Sequence, residues 1–427
     1  MLNLMPIMGK LTKKFKIKSF SGLLPIVPII AIVLAVILGF SLLFFRFVMP
    51  FYSNKNPQNI ENNFDRNNNS SNKLKDMKDL VKHKTLNLKI NGLEQVINIL
   101  ETNIGTNGIK VRPVLSHDSV YGFELLSEMA ARYNAYAAIN AGFFYEYGEP
   151  SGMVLIDGEI ITGSTGKYPV LVIKDGEAEL RELATELWLR SEAGEPESKT
   201  ASLKLDSLNV EAKIGKWVLY TRRYGTDNRV KKRNVTMVIE DNIIKKIIVS
   251  DKETEIPKNG MLATFIEPSA TSATDNPSNS SSLPQNSSEI APFSEGEKVK
   301  FEYKPFLGSN GQAYECGSWI IKDGKIVIGE NDPWIGVLTN RDPRTAVGIK
   351  ETGEVVLITV DGRQPGYSYG LTAQELGECL IQYGIRDAAM LDGGASTEMI
   401  IEGKIVNKPS FRSSERPLAG AIIMEEQ

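Results

Sequence analysis

Short apolar runs separated by polar turns extend over most of this chain, and their spacing predicts its secondary structure. Val355–Val360 and Ala388–Leu391 are apolar runs typical of buried strands, and Asp-Gly follows each one. Between them, Thr372-Ala-Gln-Glu375 is a capping box that predicts the start of a helix ending at Gly384. The order strand, helix, strand predicts a right-handed crossover between two parallel neighbouring strands. Both strands should then end at the same edge of a sheet.

The N-terminal part of the soluble region repeats this pattern with other elements. Gly108–Leu115 and Ala135–Phe144 read as strands, and Phe123–Tyr133 has the apolar spacing of an amphipathic helix. The apolar run Ala419–Met424 is expected to close the central sheet. The predicted fold class is therefore α+β, with a central mixed β-sheet, flanking helices and a β-rich inserted subdomain, preceded by one transmembrane helix.

The first 85 residues differ from the rest in hydropathy. Ser21–Phe45 carries no charge and is long enough, at ~1.5 Å per residue, to cross a ~30 Å hydrocarbon core. We expect a cytoplasmic tail at 1–20, an uncleaved transmembrane helix at 21–49 and a disordered, Asn-rich stalk at 50–85. The lysines before the span predict a single-pass cell-membrane protein with a cytoplasmic N-terminus and an extracellular catalytic domain.

The remaining chain divides by composition into one interrupted domain. Residues 86–182 and 306–427 carry the long apolar runs, and we assign them to the main domain. Residues 183–305 contain short strands with polar turns, which predicts a β-rich insertion. Within it, the stretch at about 267–290 is rich in Pro, Ser, Thr and Asn and is expected to be a disordered loop.

Charge and rare residues exclude several classes of function. Residues 1–50 hold six basic residues and no acid, whereas the remainder holds 43 basic and 52 acidic residues. No basic surface is evident outside the N-terminus, which argues against nucleic acid as a partner. The two histidines, His83 and His117, give poor support to a His-based catalytic triad. Cys316 and Cys379 fit either a disulfide or two independent thiols.

Polar residues at the predicted strand ends are the candidates for chemistry. Asp361 and Asp392 follow the two apolar strands, and each Asp-Gly also fits an ordinary turn. Gly393-Gly394 lets the backbone approach a ligand, and Ser396 adds a hydroxyl group. Two such turns at one sheet edge, one of them followed by arginine, favour a site.

These motifs together resemble the phosphodiester glycosidase family. The resemblance covers roughly residues 108–425, and six motifs in the right order make it specific. The motifs are Asn140-Ala-Gly-Phe-Phe144, Arg344-Thr-Ala-Val-Gly348, Asp361-Gly362-Arg363, Gly370 with Glu375, Leu391-Asp-Gly-Gly394 with Ser396, and Glu415-Arg416-Pro417. Two departures are Ala395, where the family usually has a third glycine, and Cys316-Gly317-Ser318, where bacterial relatives tend to be richer in glycine.

The resemblance implies hydrolysis of a sugar-1-phosphodiester, typically one of N-acetylglucosamine, with release of the sugar at its anomeric carbon. The leaving phosphate needs cationic and N–H donors, and the anomeric side needs a carboxylate to attack or to activate water. The expected catalytic residues are Asp392 and Asp361. The expected substrate-binding residues are Asn140, Gly142, Arg344, Thr345, Arg363, Gly393, Gly394, Ser396 and Arg416.

Two other functions fit the same residues. A non-catalytic module could bind a phosphorylated surface glycan, and Ala395 favours that interpretation. A metal-dependent phosphodiesterase could use Asp361 and Asp392 as ligands and cleave the P–O bond. The sequence requires no cofactor but leaves a divalent cation at these acids open. The predicted partners are a glycan or phosphorylated polysaccharide and, through residues 21–49, a membrane.

Overall fold

The computed structural model describes most of the chain after residue 76. The described residues are 77–105, 108–192, 201–268, 291–412 and 414–427. All of them lie in one compact unit, Asn69–Gln427. The predicted tail and transmembrane helix lie outside these residues, as does nearly all of the predicted disordered loop. In the part of the chain that is described, no helix is long and apolar enough to cross a membrane.

The described chain is mostly β-structure. Besides a helical turn at 77–80, its helices are α1 (Leu126–Arg132) and α2 (Ala373–Gln382), and 3₁₀ turns lie at Ser116–Asp118 and Gly394–Ser396. In chain order, the strands are β1 (Val81–Ile90), β2 (Leu93–Thr102), β3 (Ile109–Leu115), β4 (Ala137–Asn140), β5 (Val154–Ile156), β6 (Glu159–Thr162), β7 (Thr165–Lys174), β8 (Glu177–Ala184), β9 (Glu186–Ser191), β10 (Ser202–Leu205), β11 (Ser207–Leu208), β12 (Trp217–Tyr220), β13 (Asn234–Glu240), β14 (Ile243–Ser250), β15 (Gly260–Ile266), β16 (Val299–Lys304), β17 (Gln312–Glu315), β18 (Trp319–Lys322), β19 (Lys325–Ile326), β20 (Asn331–Asp332), β21 (Gly336–Val337), β22 (Arg344–Lys350), β23 (Val355–Val360), β24 (Ile385–Met390), β25 (Met399–Ile401), β26 (Lys404–Ile405) and β27 (Gly420–Glu426).

The central sheet has seven strands in the order β1-β2-β23-β22-β24-β18-β19. Every pair in it is antiparallel, so the predicted mixed sheet is wrong. Strands β23 and β24 do run parallel to each other, but β22 lies between them and pairs with both. The predicted contact between β23 and β24 is therefore wrong, whereas the prediction that both end at one edge is confirmed.

A second sheet, in the order β26-β25-β4-β27-β3, faces the central sheet across an apolar core. The C-terminal strand β27 lies here, between β3 and β4, and does not close the central sheet as expected. Helix α1 covers the outer face of the second sheet, and helix α2 covers the outer face of the central sheet. The result is a four-layer α/β/β/α sandwich, because each sheet buries one face in the shared core and one under a helix.

Helix α2 begins where the capping box predicted. The Thr372 hydroxyl accepts a hydrogen bond from the Glu375 N–H at 3.1 Å, and Glu375 Oε2 accepts one from the Thr372 N–H at 3.1 Å. Leu376 and Leu380 lie on the buried side of the helix against the central sheet. Local capping and the apolar spacing thus specify the same helix.

The segment predicted to be an insertion forms further sheets that pack on the rest. Strands β10-β9-β16 form one sheet, β11-β12-β15-β13-β14 form another, and β6-β5-β17-β7-β8 join them to the sandwich. A single apolar cluster contains Leu155 and Val170 together with Leu189, Leu219 and Met237 from the predicted insertion. On the N-terminal side, β1 begins at Val81, so the last five residues of the predicted disordered stalk, 81–85, form part of a strand. Cys316 and Cys379 are both free thiols, Cys316 being buried.

Candidate active site

Five strand ends meet at one edge of the sandwich. Strands β4, β23 and β24 end there at Asn140, Val360 and Met390, and β22 begins there at Arg344 because it runs antiparallel to its neighbours. The start of β25 lies opposite the end of β4. This topology brings together, in one region, the polar residues that lie at the ends or at the starts of these strands.

Asp392 occupies the centre of this region. It is half-buried, and its main-chain N–H donates to the Ala141 carbonyl at 3.2 Å. Its carboxylate accepts hydrogen bonds from the Ser396 hydroxyl and the Gly393 N–H. Burial raises the pKa of Asp392 to about 6, and the Ser396 bond, the Arg416 charge and the Gly393 bond oppose that shift. Near neutral pH this carboxyl is ionised and only partly shielded from solvent.

Arg416 is joined to Asp392 through the same hydroxyl. One guanidinium N–H of Arg416 donates to Ser396 Oγ at 2.8 Å, and Ser396 donates onward to the carboxylate. The guanidinium carbon also lies 5.5 Å from the centre of the Phe144 ring. An open pocket of about 410 Å³ extends from Arg416. It is lined by Phe123, Phe144, Tyr145, Glu146, Phe411, Arg416 and Pro417.

Asn140 holds the two sheets together at this edge. Its amide nitrogen donates to the Asp392 carbonyl at 2.6 Å and to the Ala141 carbonyl at 3.1 Å. Its amide oxygen accepts from Thr345 Oγ1 at 3.0 Å and from the Glu398 N–H at 3.1 Å. All four hydrogen-bonding positions of the amide are therefore used. In this arrangement the Asn140 amide positions the Asp392 loop and has no free group for a ligand, and Thr345 is completely buried.

Asp361 is almost fully enclosed, with 1% of its surface exposed. Its carboxylate accepts hydrogen bonds from Asn407 Nδ2 at 2.9 Å, Tyr367 Oη at 2.9 Å and the Lys408 N–H at 3.0 Å. Burial raises the pKa of this carboxyl, and the bonds from Asn407, Tyr367 and Lys408 oppose the shift. These contacts fasten the loop containing Tyr367 to the segment at Lys408.

The other two predicted phosphate ligands have different surroundings. Arg344 is 1% exposed, and its guanidinium donates to the carbonyls of Leu371 at 3.0 Å and Asn340 at 2.7 Å. Burial lowers the pKa of Arg344. Arg363 is half exposed and pairs with Asp342 at 2.8 Å. Its guanidinium lies over Gly394, close enough to contact a side chain placed there.

The glycines of the motifs are required by close packing. A side chain at Gly142 would lie 2.8 Å from the Tyr314 ring, and one at Gly393 would lie 2.9 Å from the Pro343 carbonyl oxygen. Gly394 has a left-handed backbone, with φ of 59°, and its N–H donates to the same Pro343 oxygen at 2.8 Å. Ala395 is not left-handed, so this chain accommodates a side chain where the family usually has a glycine.

A second pair of acids lies next to Arg416, and neither of them is among the predicted catalytic or substrate-binding residues. Glu398 is 1% exposed and hydrogen-bonds to the Glu415 side chain. Glu415 in turn accepts bonds from the N–H and the hydroxyl of Ser127, at 2.9 and 2.8 Å. Glu398 follows Ser-Thr and precedes an apolar strand, so nothing in the local sequence distinguishes it from an ordinary strand-edge acid. Within the described ranges, no group of three or more His, Cys, Asp or Glu residues is arranged to hold a metal ion.

A family model described as phosphodiester glycosidase matches residues 245–425 of this chain. An uncharacterised prophage-derived protein of Bacillus subtilis is 36% identical over 98 residues, which are 23% of this chain and 15% of that protein. N-acetylglucosamine-1-phosphodiester alpha-N-acetylglucosaminidase of Bos taurus is 29% identical over 106 residues, covering 22% of this chain and 19% of the relative. The matched region thus spans less than a fifth of the length of either relative.

Solved structures share the fold at low sequence identity. A hypothetical protein from Synechocystis has a TM-score of 0.64 and 18% identity, covering 82% of this chain and 62% of its own. An exported protein from Burkholderia pseudomallei has a TM-score of 0.61 and 19% identity, covering 78% of this chain and 74% of its own. These likenesses extend beyond residues 245–425 and describe the architecture.

Proposed function

We propose that this chain, whose residues 245–425 match the phosphodiester glycosidase family, hydrolyses a sugar-1-phosphodiester and releases the sugar at its anomeric carbon. The observation that carries the proposal is the connected set Asp392, Ser396 and Arg416. It holds an ionisable carboxylate and a cationic phosphate ligand on one shared hydroxyl, with open space beside the arginine.

The chemistry of this substrate matches what the three residues offer. When the anomeric C–O bond breaks, a phosphate monoester leaves as a stable anion, so the reaction needs charge stabilisation on phosphate oxygens more than a proton donor. Arg416 supplies that charge, and Arg363, over Gly394, is placed to supply more. Asp392 then attacks the anomeric carbon or activates a water molecule for that attack. The pKa near 6 leaves Asp392 mostly ionised at pH 7, as either role requires.

The substrate we propose is a glycan carrying an N-acetylglucosamine-1-phosphate linkage. The activity for which the bovine relative is named supports the sugar, and the pocket beside Arg416 supports a ring-containing substrate. Phe123 and Phe144 meet edge to face with centroids 5.6 Å apart, and they offer apolar ring surface next to a cation. Aromatic side chains with a few polar groups are the usual lining of a pocket for a small organic ligand.

Product analysis in ¹⁸O-labelled water tests the proposal. Purified protein is incubated with an N-acetylglucosamine-1-phosphodiester, and Asp392→Asn serves as the matched control. We expect free sugar with the label at its anomeric oxygen, and little product from the control. Label in phosphate, with sugar phosphate as the product, would instead indicate a phosphodiesterase that cleaves the P–O bond. Saturable binding without any product would indicate a non-catalytic glycan-binding module.

A further inference from the structure

The buried Glu398 and the half-buried Glu415 form a pair of carboxyl groups next to Arg416. Their side chains share a hydrogen bond, and Glu398 is 1% exposed. A hydrogen bond between two carboxyl groups needs a proton, because two carboxylates at contact distance repel each other. The pair therefore shares a proton.

The surrounding donors decide which residue holds the proton. Both oxygens of Glu415 accept hydrogen bonds from Ser127, one from its N–H and one from its hydroxyl. Both oxygens of Glu415 are therefore occupied as acceptors. Glu398 accepts one bond from the Arg416 N–H, and its Oε1 atom has no partner among the described residues. Burial, with Glu415 beside it, raises the pKa of Glu398 to about 9, so Glu398 is the protonated member at neutral pH.

Glu398 also contacts Asn140 and Arg416 of the candidate site. Its main-chain N–H donates to Asn140 Oδ1, and its carbonyl accepts from the Asn140 N–H at 3.2 Å. Its carboxyl accepts from the N–H of Arg416, the residue whose guanidinium bonds Ser396. The Glu398 carboxyl thus contacts two consecutive residues: it donates to the Glu415 side chain and accepts from the main-chain N–H of Arg416.

We propose that Glu398 is a positioning residue that acts as a neutral carboxylic acid and fixes Arg416 in the orientation that binds the substrate phosphate. This inference rests on the proposed function. Glu398 does not meet the substrate itself, because its unpaired oxygen is sealed from solvent. The charged or titratable groups that face it are Glu415, Arg416 and, through Ser396, Asp392. Loss of its proton would remove the hydrogen bond between the two carboxyl groups and release the Arg416 segment from its position.

Two substitutions of Glu398 test this role. Glu398→Gln keeps the shape and an N–H donor toward Glu415 but cannot ionise, whereas Glu398→Ala removes both contacts. We expect Glu398→Ala to raise the KM for a sugar-1-phosphodiester at least about tenfold and to lower kcat less, because a ligand group is misplaced and the attacking carboxylate is intact. Glu398→Gln should restore KM to within about threefold of the wild type.

The pH profile separates positioning from proton donation. Wild-type kcat/KM should fall by about tenfold per pH unit above 9, and this alkaline fall should be absent in Glu398→Gln. A large loss of kcat in Glu398→Gln at pH 7, with normal thermal stability, would mean that Glu398 gives its proton to the substrate. An unchanged alkaline fall in Glu398→Gln would assign that limb to another group and would overturn the proposal.

Thermal stability without substrate gives a readout that does not depend on the proposed function. A carboxyl with a raised folded-state pKa stabilises the fold fully below its unfolded value, about 4.3, and loses that effect as pH rises to about 9. The Tm of the wild type should therefore fall more steeply between pH 5 and 9 than the Tm of Glu398→Gln. Equal slopes would refute the protonated pair even if turnover is found. A steeper wild-type slope without turnover on any sugar phosphodiester would refute the proposed function alone.

Discussion

At the scale of single residues, hydrogen-bond partners separate two aspartates that the sequence makes equivalent. Asp361 and Asp392 each follow an apolar strand and precede glycine. The two strands end at the same edge of the sheet. Asp361 is enclosed by donors from Asn407, Tyr367 and Lys408, whereas Asp392 is half-buried and shares a hydroxyl with Arg416. Enclosure by protein donors is typical of a structural brace, and partial exposure beside a cation is typical of a reactive group.

Matched substitutions should separate the two roles. Asp392→Asn removes the charge that attacks or activates water, and we expect kcat to fall by about 10²–10⁴-fold with Tm nearly unchanged. Asp361→Asn replaces an acceptor of several N–H and O–H bonds with a group that donates, so Tm should fall clearly. Steady-state assays and thermal melts of both variants measure this. A fall in kcat with normal Tm for Asp361→Asn would return that residue to the catalytic set.

The pKa of Asp392 sets an expectation for the acid side of the pH profile. The ionised form is the reactive one in the proposed mechanism, so kcat/KM should rise with pH and level off above about 6. The pH dependence of kcat/KM on a phosphodiester substrate, measured from pH 4 to 8, checks this. An acid limb centred near pH 4 would mean that Asp392 titrates like an exposed carboxyl and is not the group that limits turnover.

The arginines can be compared by the same residue-scale reasoning. Arg416→Lys keeps the charge but loses the planar donor set that reaches Ser396. It should weaken turnover of a phosphodiester substrate at least about tenfold more than turnover of a neutral aryl glycoside of the same sugar. Arg344→Lys is the contrasting variant, because Arg344 bonds only carbonyls in the contacts described and should affect both substrates equally through stability. Equal losses on both substrates for Arg416→Lys would remove it from the phosphate ligands.

At the scale of elements, local sequence patterns predicted individual helices and strands correctly but did not predict which strands pair in the sheet. The capping box at Thr372 and the apolar runs of β23 and β24 gave correct elements, because their information lies within a few residues. Pairing of β22 between those two strands depends on contacts along the whole sheet, which no local pattern encodes. Asn140, Ser396 and Arg416 were predicted as site residues from their motifs. Glu398 was not among the predicted site residues, because its contact with Glu415 depends on the tertiary fold.

The cap of helix α2 allows a quantitative test at this scale. Thr372→Ala removes the hydroxyl that accepts from the Glu375 N–H, and it should lower the free energy of unfolding by about 0.5–2 kcal/mol. Gln374→Ala, on the exposed face of the same first turn, is the control and should change it by less than about 0.5 kcal/mol. Denaturant titrations of the two variants provide the comparison. Equal, small effects would show that packing of Leu376 and Leu380, and not the cap, defines this helix end.

At the scale of the whole molecule, the predicted insertion shares a core with the predicted main domain. Strands β9 and β16 from that segment pack in the same apolar cluster as β5 and β7, which belong to the predicted main domain. The family match beginning at residue 245 also falls inside the segment assigned to the insertion. A shared core couples the two parts energetically, since neither can lose its packing without exposing the other.

This coupling predicts a single unfolding transition for the described sheets. Leu189, on β9, is fully buried in the shared cluster, and Leu189→Ala should cost about 2–5 kcal/mol. Two single-tryptophan variants report on the parts separately, with Trp217 kept in the predicted insertion and Trp319 kept in the central sheet. Both reporters should show the same midpoint, and Leu189→Ala should shift both equally, because the packing that it removes belongs to one cooperative unit.

Leu88→Ala, on an exposed strand position, is the control and should shift neither midpoint by much. A shift confined to Trp217 would mean that residues 183–305 unfold as an independent domain on a sandwich that remains intact.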